Sequence, residues 1–386
     1  MMAAPVKQIH GDGAPVRGAY ATIIHRQINS LKPAPDYAAD GRALVIWWND
    51  ETPVGQSWLT ADSPRPSVPQ APVPVDIPPL PHLSVSVVIC TRDRPQSLAR
   101  MLSSLSSQVR RPDNVIVVDN ASASDETRQV CQAARVRYVR EDRPGLDIAR
   151  NTGWRAADGD IIAYTDDDTE LHPGWLDQLV RPFADTNVNA VTGLVLPAAL
   201  DTQAQWIFER HWSFGRGYRQ TTFGNDFFLR YRRDGGHCWR IGAGANMAFR
   251  RSLADRIGLF DERLDVGAAG CSGDSEYWHR ILTADGTCVY TPQAIVFHHH
   301  RADMDGLASQ LFHYMRGHCA ALLVQFERDR HPGSLKRLLV TLPLHYVRLT
   351  AGRVIKGPDQ RKAMLRPQIT GCLAGIGYYL RKRLTP

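Results

Sequence analysis

The hydrophobic and polar positions between residues 84 and 168 come in blocks that predict a parallel α/β sheet. Short apolar, β-branched runs, typical of strands buried on both faces, alternate with segments whose apolar residues recur at helical spacing, such as Leu98, Met101, Leu102 and Leu105. Strand–helix–strand order of this kind gives parallel strands with right-handed crossovers. The predicted strands are Ser84–Cys90, Asn114–Val118, Val136–Val139 and Ile161–Thr165, and the predicted helices are Gln96–Ser107 and Asp125–Ala134.

Polar residues follow the predicted strands where they end: Thr91 and Asp93, then Asp119 and Asn120, then the acidic triplet 166–168. Because neighbouring parallel strands end at the same edge, we expect these groups along one rim, where open α/β sheets bind ligands. Three adjacent carboxylates repel one another unless a cation lies between them, and Mg²⁺ or Mn²⁺ commonly joins carboxylates to substrate phosphates. The alternative interpretation of the triplet is a solvated acidic turn.

Two common phosphate-binding motifs are missing from the sequence. No GxGxxG pattern follows the first predicted strand, and there is no P-loop. In the absence of a glycine-rich loop at a helix N-terminus, we expect a cation bound by carboxylates to hold the phosphates.

Six ordered segments between about Ser84 and Met304 resemble the family 2 glycosyltransferases of GT-A fold. In that family the sixth segment usually begins with Glu-Asp, whereas here Gly273 stands at the Glu position and Asp274 alone matches. The segments are Val87–Arg94, Val117–Ser122, Gly145–Asn151, Tyr164–Asp168, Gly244–Arg251 and Gly273–Arg280.

The resemblance implies a role for each matching residue. Asp274 would be the catalytic base, Asp168 would bind the metal, and Asn246 and Glu276 would lie on the acceptor and donor-sugar side. The residues expected around the nucleotide are Thr91, Arg92, Asp93, Asp119, Arg150, Asn151, Asp166 and Asp167. The structural alternatives are a turn closed by Asp119, a helix capped by Asp274, and an i,i+4 pair of Glu276 with Arg280.

The function implied is an inverting, metal-dependent transfer of a sugar from a nucleotide sugar, expected to be a UDP-sugar, to a hydroxyl of a glycan or polyprenyl-linked acceptor in cell-surface polysaccharide synthesis. The expected cofactor is Mn²⁺ or Mg²⁺, which neutralises a leaving diphosphate, while a carboxylate removes the acceptor proton. Two rival functions are a sugar-phosphate nucleotidyltransferase and a non-catalytic carbohydrate- or membrane-binding adaptor.

A run of three histidines follows the predicted strand Ala294–Phe297. Strand alternation would place His298 and His300 on one face. The resemblance favours His298 as a metal or diphosphate ligand, and a surface histidine cluster is the alternative.

Aromatic and arginine residues are concentrated between Gln205 and Trp239. Such residues suit sugar stacking and a phosphorylated acceptor, although packing of a large insertion explains many of them equally well. A nucleic-acid surface is disfavoured because the acidic triplet lies in the same domain.

The chain divides into four predicted segments. Residues 1–62 form a small N-terminal module with a strand over Arg42–Trp48 and a short helix within Tyr20–Leu31, and residues 63–82 form a proline-rich linker. Residues 83–304 form the α/β domain, and residues 305–386 form a helical basic extension.

Charge is uneven along the chain. The net charge is +7, and residues 331–386 hold eleven Lys or Arg against one acid, or +10, so residues 1–330 sum to −3. Basic amphipathic helices suit an anionic membrane surface, with helix packing or oligomerisation as the alternative. Seven cysteines without a CxxC pair, and no apolar run of membrane-spanning length, predict a cytoplasmic protein with a peripheral contact at the inner face of the cell membrane.

Overall fold

The computed structural model describes residues 19–29, 41–60, 63, 67–70, 80, 82–356 and 363–384. Within them, two sheets form: a nine-stranded sheet ordered β10-β12-β9-β11-β7-β4-β5-β6 with β8 paired to β12, and a three-stranded sheet ordered β1-β2-β3. The strands are β1 Thr22–Gln27, β2 Ala43–Asn49, β3 Thr52–Leu59, β4 Val85–Thr91, β5 Asn114–Asn120, β6 Arg137–Glu141, β7 Ile161–Asp166, β8 Thr169–Leu171, β9 Val188–Pro197, β10 Thr221–Phe223, β11 Asn246–Arg250 and β12 Thr287–His298.

Helices cover both faces of the large sheet and continue into the C-terminal extension. The α-helices are α1 Pro95–Ser106, α2 Glu126–Ala134, α3 Leu146–Ala156, α4 Trp175–Val180, α5 Gln203–Trp212, α6 Asn225–Tyr231, α7 Leu253–Ile257, α8 Gly273–Thr283, α9 Met304–Asp329, α10 Pro332–Lys336, α11 Leu342–Lys356 and α12 Leu365–Leu384, with a π-helical turn over Arg337–Thr341 before α11.

Strands β6, β5, β4 and β7 are parallel neighbours, as the apolar runs predicted. Thr91 pairs with Asp119 and Cys90 with Asp166, so the carboxyl ends of three strands meet at one edge of the sheet. We call this edge the rim. It brings together side chains that are up to about 75 residues apart in the chain.

The other half of the sheet is mixed, and its connectivity returns one more strand end to the rim. β11 is antiparallel to both β7 and β9, and β12 is parallel to β9. β12 therefore runs in the same direction as β7 and ends, at His298, on the same rim as Asp166. β8 leaves the acidic triplet and pairs Thr169 with His298.

Burial on both faces explains why the central strands read as continuous apolar runs. In β4, Val85, Val87 and Ile89 join one core cluster and Val88 joins the other, because successive side chains point to opposite faces. The first cluster includes α1 and α4, and the second includes α3 and α8 together with Trp154 and Trp278.

The three-stranded sheet packs directly on the main α/β domain. Trp58 lies edge-on to Trp206 with ring centroids 4.9 Å apart, and Trp48 is stacked on His172 at 6.1 Å. The predicted helix within Tyr20–Leu31 is wrong, because residues 22–27 form β1, which pairs in parallel with β2. Cross-strand pairing and packing outweigh the weak local helical preference there.

Much of the proline-rich segment 63–82 lies outside the described residues, and the division of the chain into four segments stays a prediction. In the extension, α12 packs along α9. Gly371 and Gly375 face carbonyl oxygens of α9, and a Cβ at either position would lie 2.3 Å from Phe312 O or Arg316 O, so only glycine permits this close approach. No helix in the described part of the chain has the length and apolar content needed to cross a bilayer.

Candidate active site

Asp166, Asp168 and His298 form a carboxylate–histidine cluster at the rim. One ligand atom from each residue lies within 4.8 Å of the others, and His298 Nε2 is 3.3 Å from Asp168 Oδ1. Two carboxylates come from the end of β7 and the imidazole from the end of β12, so the sheet topology assembles the group. Oxygen and imidazole donors at this spacing fit Mn²⁺ or Mg²⁺, and these three residues would hold such a cation.

The ionisation of the cluster reflects carboxylates held close together. Burial and repulsion from Asp168 raise the pKa of Asp166 to about 7. Burial alone would raise the pKa of Asp168, but His298 and Arg94 outweigh it and hold that pKa below its usual value. Burial likewise disfavours the His298 cation, yet Asp168 raises the pKa of this imidazole. The nearby cations therefore do not fully neutralise the negative charge of Asp166 and Asp168.

The middle acid of the triplet, Asp167, turns away from the cluster into the first loop. Its carboxylate accepts hydrogen bonds from Thr91 Oγ1 at 2.6 Å and from Arg94 Nη1 at 3.1 Å. Arg94 also lies 3.1 Å from Asp168 Oδ2. Asp167 thus ties the loop 91–94 to the end of β7.

Arg92 and Asp93 lie on the outer part of the same loop, with side chains about half exposed. Asp93 has a left-handed φ of 54° and its carboxylate accepts a hydrogen bond from the Ala123 amide at 2.7 Å. The loop after β4 is therefore fastened to the loop after β5, and Arg92 projects from it into solvent.

Asp119 lies beneath these loops and is fully buried. It accepts hydrogen bonds from Tyr138 Oη at 2.8 Å, from Arg140 Nη1 at 3.0 Å and from the Ser122 amide. Burial opposes ionisation, but these three hydrogen bonds outweigh it and lower the pKa of Asp119. A nucleotide base would reach this carboxylate only if Tyr138 or Arg140 moved.

A second group, the arginine cluster, consists of Asp147, Arg150 and Asp265. Arg150 Nη1 is 2.9 Å from Asp147 Oδ1 and 2.7 Å from Asp265 Oδ2, and all three residues are buried. Burial and Asp265 raise the pKa of Asp147 well above its usual value. Arg150 also lies close enough to Asp166 and to Asp274, the candidate base, to interact electrostatically with both.

Asp274 lies in the first turn of α8. Its Oδ2 accepts a hydrogen bond from the Gly244 amide at 2.8 Å, and its Oδ1 accepts one from the Ser275 amide at 2.6 Å. Burial, followed by repulsion from Asp265, raises the pKa of Asp274. Gly244 lies two residues before Asn246, which pairs with Thr165, so Asp274 is held at the same rim as the acidic triplet.

Residues 86–258 match the model of the family described as glycosyl transferase family 2. The match covers somewhat less than half of the chain and includes strands β4 to β11. The family 2 resemblance predicted from the sequence is therefore confirmed over residues 86–258.

Relatives with known names agree with that assignment. A pre-mycofactocin glycosyltransferase of Mycobacterium tuberculosis is 28% identical over 346 residues, covering 86% of this chain and 64% of that protein. Succinoglycan biosynthesis protein ExoM of Rhizobium meliloti is 26% identical, covering 60% of this chain and 72% of that protein. The chain thus spans somewhat less than two thirds of the length of the mycobacterial relative.

Among solved structures, the fold is similar to that of mannosyltransferase PcManGT from Pyrobaculum calidifontis, solved in complex with GDP-Man and Mn²⁺. That protein is 19% identical, with a TM-score of 0.53, and the match covers 81% of this chain and 92% of the other. At this identity the likeness concerns the fold alone, and it confirms the predicted GT-A fold.

The other family-derived positions lie away from the rim's open side. Asn246 is fully buried: its amide donates to Leu194 O and Ala294 O and accepts from Trp175 Nε1. Asn151 is hydrogen-bonded to the backbone of Phe260 in both directions. These three hydrogen bonds inside the domain argue against the predicted contact of the Asn246 side chain with a sugar.

Glu276 is also fully buried, and its carboxylate pairs with Arg280 at 2.9 Å. This is the i,i+4 pair that the sequence left open as an alternative. This pairing argues against a direct contact of Glu276 with the donor or acceptor sugar. The Glu276 side chain instead stabilises helix α8 through Arg280.

Sequence reasoning missed Arg94, Asp147, Asp265 and Glu209. Arg94 lies two residues from Arg92 in the same loop, and the sequence of the loop does not indicate which of the two arginines points toward the acidic triplet. The others become part of the site only through contacts with residues distant in sequence.

A cavity of about 540 Å³ opens at the opposite edge of the sheet, near Asp160, Arg250 and Arg251. It adjoins the amino end of β7, far from the carboxyl ends that carry the clusters. We therefore assign it no part in the chemistry of the rim.

Proposed function

We propose that this protein is an inverting, metal-dependent glycosyltransferase that moves a sugar from a nucleotide sugar, with UDP-sugars the first candidates, to a hydroxyl of a glycan or lipid-linked acceptor. The observation that carries the proposal is the joint position of the carboxylate–histidine cluster and Asp274 at one rim, where Arg150 interacts electrostatically with both Asp166 and Asp274.

The chemistry assigns Asp274 as the base. As the acceptor oxygen forms its bond to the anomeric carbon, the hydroxyl proton passes to Asp274 and the bond from that carbon to the diphosphate breaks. The electron pair leaves with the nucleoside diphosphate, and a single displacement inverts the anomeric centre. A raised pKa suits a carboxylate to this work, because it makes the group a stronger base.

Asp166, Asp168 and His298 would hold Mn²⁺ or Mg²⁺, which supplies Lewis-acid neutralisation of the leaving diphosphate when bound. Thr91 and Asp167 would shape the nucleotide loop from within, and Arg92 and Asp93 would meet the nucleotide from its outer side. We propose that Asp119, Asn151 and Arg150 support the nucleotide site through the loops and side chains they hold in place.

The test is a panel of nucleotide sugars assayed for nucleoside diphosphate release with Mn²⁺, with Asp168→Asn and Asp274→Asn as variants. Both should lower turnover by about 10²- to 10⁴-fold, the usual contribution of a positioned base or charge stabiliser. Only Asp168→Asn should also lower Mn²⁺ affinity, while Asp274→Asn should keep nucleotide binding.

A wild-type protein that binds no nucleotide sugar would contradict the proposal, as would an Asp274→Asn variant with full turnover. Release of pyrophosphate rather than nucleoside diphosphate would favour a nucleotidyltransferase instead. The acceptors tested should include polyprenyl-phosphate glycans, since one named relative is a succinoglycan biosynthesis protein.

We further propose that the C-terminal extension contacts an anionic membrane surface from the cytoplasmic side. The helical segment 337–352 buries one apolar face, but its outward face is apolar too, with Leu339 64%, Val340 46%, Leu344 49% and Val347 64% exposed. Residues 330–358 contain six Lys or Arg and no Asp or Glu. An exposed apolar stripe in a segment that carries basic residues and no acid of its own matches anionic lipid.

Vesicle flotation should test this contact with substitutions, because a truncation before α11 would strip α12 from α9. Leu339→Gln combined with Leu344→Gln should reduce binding to vesicles containing phosphatidylserine, since each buried leucine contributes about 1.5–3 kcal/mol. Leu229→Gln, at an exposed leucine on α6, is the matched control. Equal binding of all three proteins, or dimerisation through the stripe in light scattering, would contradict a lipid contact.

A further inference from the structure

Behind the carboxylate–histidine cluster, three buried side chains form a line of hydrogen bonds that leads away from the rim. His298 Nδ1 lies 3.1 Å from His300 Nδ1, and His300 Nε2 lies 2.9 Å from Glu209 Oε2. The exposed fractions of these residues are 7%, 6% and 4%. Groups this deeply buried need hydrogen-bond partners, and these three supply one another's.

Helix α5 holds this line in place. Its N-terminus is fixed by a capping box between Thr202 and Gln205, and Gln205 Nε2 donates to the backbone oxygen of His300 at 3.3 Å. Glu209 lies one turn further along α5. The helix therefore contacts His300 at both its backbone and its side chain.

Two aromatic rings close the sides of the line. The Phe208 ring lies 4.7 Å from the His300 ring, and the Phe214 ring lies 5.1 Å from the His298 ring. With apolar rings on these sides, each imidazole is restricted to the orientation that its hydrogen bonds require.

The proton positions follow from the end that faces the rim. His298 points Nε2 toward Asp168, so coordination of a metal by this atom requires a free lone pair there and a proton on Nδ1. That proton can only be donated to His300 Nδ1, which must then be an acceptor. The remaining proton of His300 is therefore on Nε2 and is donated to Glu209, whose carboxyl oxygen accepts it whether or not the other oxygen is protonated.

We propose that Glu209 and His300 are positioning residues that fix His298 in the Nδ1–H tautomer and thereby present Nε2 to the metal. Partners of this kind orient a ligating imidazole and increase its basicity, and their loss typically lowers metal affinity 10- to 100-fold. The proposal rests on the metal use proposed above. It gives part of the aromatic-rich segment after β9 a role in the metal site.

The first test reads the tautomers directly in the wild-type protein. Long-range ¹H–¹⁵N correlation spectra of ¹⁵N-histidine-labelled protein loaded with Mg²⁺ should show His298 protonated at Nδ1 and His300 protonated at Nε2. Signals would be assigned by their loss in His298→Gln and His300→Gln. A proton on Nδ1 of His300 in the loaded protein would overturn the proposal without any variant of Glu209.

The second test measures Mn²⁺ affinity by the electron paramagnetic resonance signal of the free ion. Glu209→Leu should weaken Mn²⁺ binding about 10-fold or more. Glu209→Gln should stay within about threefold of wild type, because its amide oxygen can still accept from His300 Nε2.

The chain offers a matched control in the neighbouring histidine. His299 Nε2 contacts Glu170 Oε1 at 2.7 Å, and both side chains are partly exposed. His299 reaches Asp168 only through a backbone hydrogen bond, which a substitution of the Glu170 side chain leaves in place. Glu170→Leu should therefore leave Mn²⁺ affinity unchanged.

The outcomes separate the two levels of proposal. Wild-type protein that binds no Mn²⁺, with or without UDP, would overturn the metal site and with it this inference. Wild-type binding together with unchanged binding by a folded Glu209→Leu would overturn only the positioning role. Equal losses in Glu170→Leu and Glu209→Leu would also overturn it, since a general loss of stability would then suffice.

Discussion

Two groups of carboxylates lie at the same rim and differ in what neutralises them. In the arginine cluster, Arg150 lies between Asp147 and Asp265 at 2.9 and 2.7 Å. In the carboxylate–histidine cluster, Asp166 and Asp168 face His298, and the nearest arginine, Arg94, has a side chain 37% exposed and divides its contacts between Asp167 and Asp168.

This difference indicates a structural role for the arginine cluster and a metal-binding role for the carboxylate–histidine cluster. A buried acid with a permanent cation inside the fold is a structural element, since removing either partner leaves an uncompensated charge. A set of acids with a shortage of positive charge, at an accessible edge, has room for an external cation. The predictions below test this contrast, beginning with the largest expected effect.

Asp166→Asn should act in opposite directions on function and stability. Loss of a metal ligand should lower turnover by roughly 10³-fold, because metal stabilisation of the transition state is worth several kcal/mol. The metal-free protein should become slightly more stable, since repulsion from Asp168 is relieved. Steady-state kinetics measure the first effect and thermal unfolding with EDTA measures the second. A Tm of the metal-free variant below that of metal-free wild type would contradict the proposed difference between the two clusters.

Arg150→Met should damage stability foremost. It leaves Asp147 and Asp265 buried without their cation, a change that typically costs about 3–5 kcal/mol. Urea unfolding measures this loss, and Arg94→Met, at the more exposed arginine, is the control with a much smaller expected change. Equal effects of the two substitutions would show that the arginine cluster is no more structural than the other.

Gly273→Ala should destabilise the protein by about 1–3 kcal/mol through overpacking. A Cβ at Gly273 would lie 1.9 Å from Asp147 Oδ2, an oxygen that has no hydrogen-bond partner among the described residues. The glycine at the position where the family usually has Glu is thus explained by the Asp147 carboxyl group that occupies this space. The double variant Gly273→Ala, Asp147→Ala should recover part of the loss, and a lack of recovery would contradict the steric explanation.

The smallest predicted effect is a pH dependence. The pKa of Asp166 is raised from 3.8 to about 7, so the metal must displace a proton below that pH. Mn²⁺ affinity should rise with pH by up to about tenfold per pH unit for each proton displaced, and it should level off only once both Asp166 and His298 have lost their protons. The raised pKa also means that this group's contribution to the stability of the metal-free protein is present below pH 3.8 and is lost as pH rises through about 7. Calorimetric titrations from pH 5.5 to 8.5 test the affinity, and a flat profile would contradict the open character of the cluster.

The fold was largely predictable because its central strands are simple. Buried on both faces, β4, β5 and β7 read as short apolar runs, and each ends in polar residues that parallel pairing must bring together. Segment 22–27 was mispredicted as helix because hydrophobic and polar residues show no clear periodicity over its six positions. Its conformation is decided by pairing with β2.

The candidate site was predictable where its residues are neighbours in sequence. The triplet 166–168 could be proposed as a metal site from the sequence. The sequence did not reveal that Asp167 turns to Thr91 while Asp166 and Asp168 face His298. Asn246 and Glu276 lie in recognisable motifs, yet their side chains are consumed by contacts inside the domain that no local pattern reveals.

The sequence by itself determined the parallel strands and the acidic rim, because periodicity and strand-end chemistry are local properties, and the resemblance of its motifs indicated the family. Tertiary structure alone decided which charges are neutralised: Arg150 reaches Asp265 across 115 residues and Glu209 reaches His300 across 91. The physical reason is that burial makes every charge depend on its nearest partner, and the nearest partner of a buried group is set by packing rather than by sequence separation.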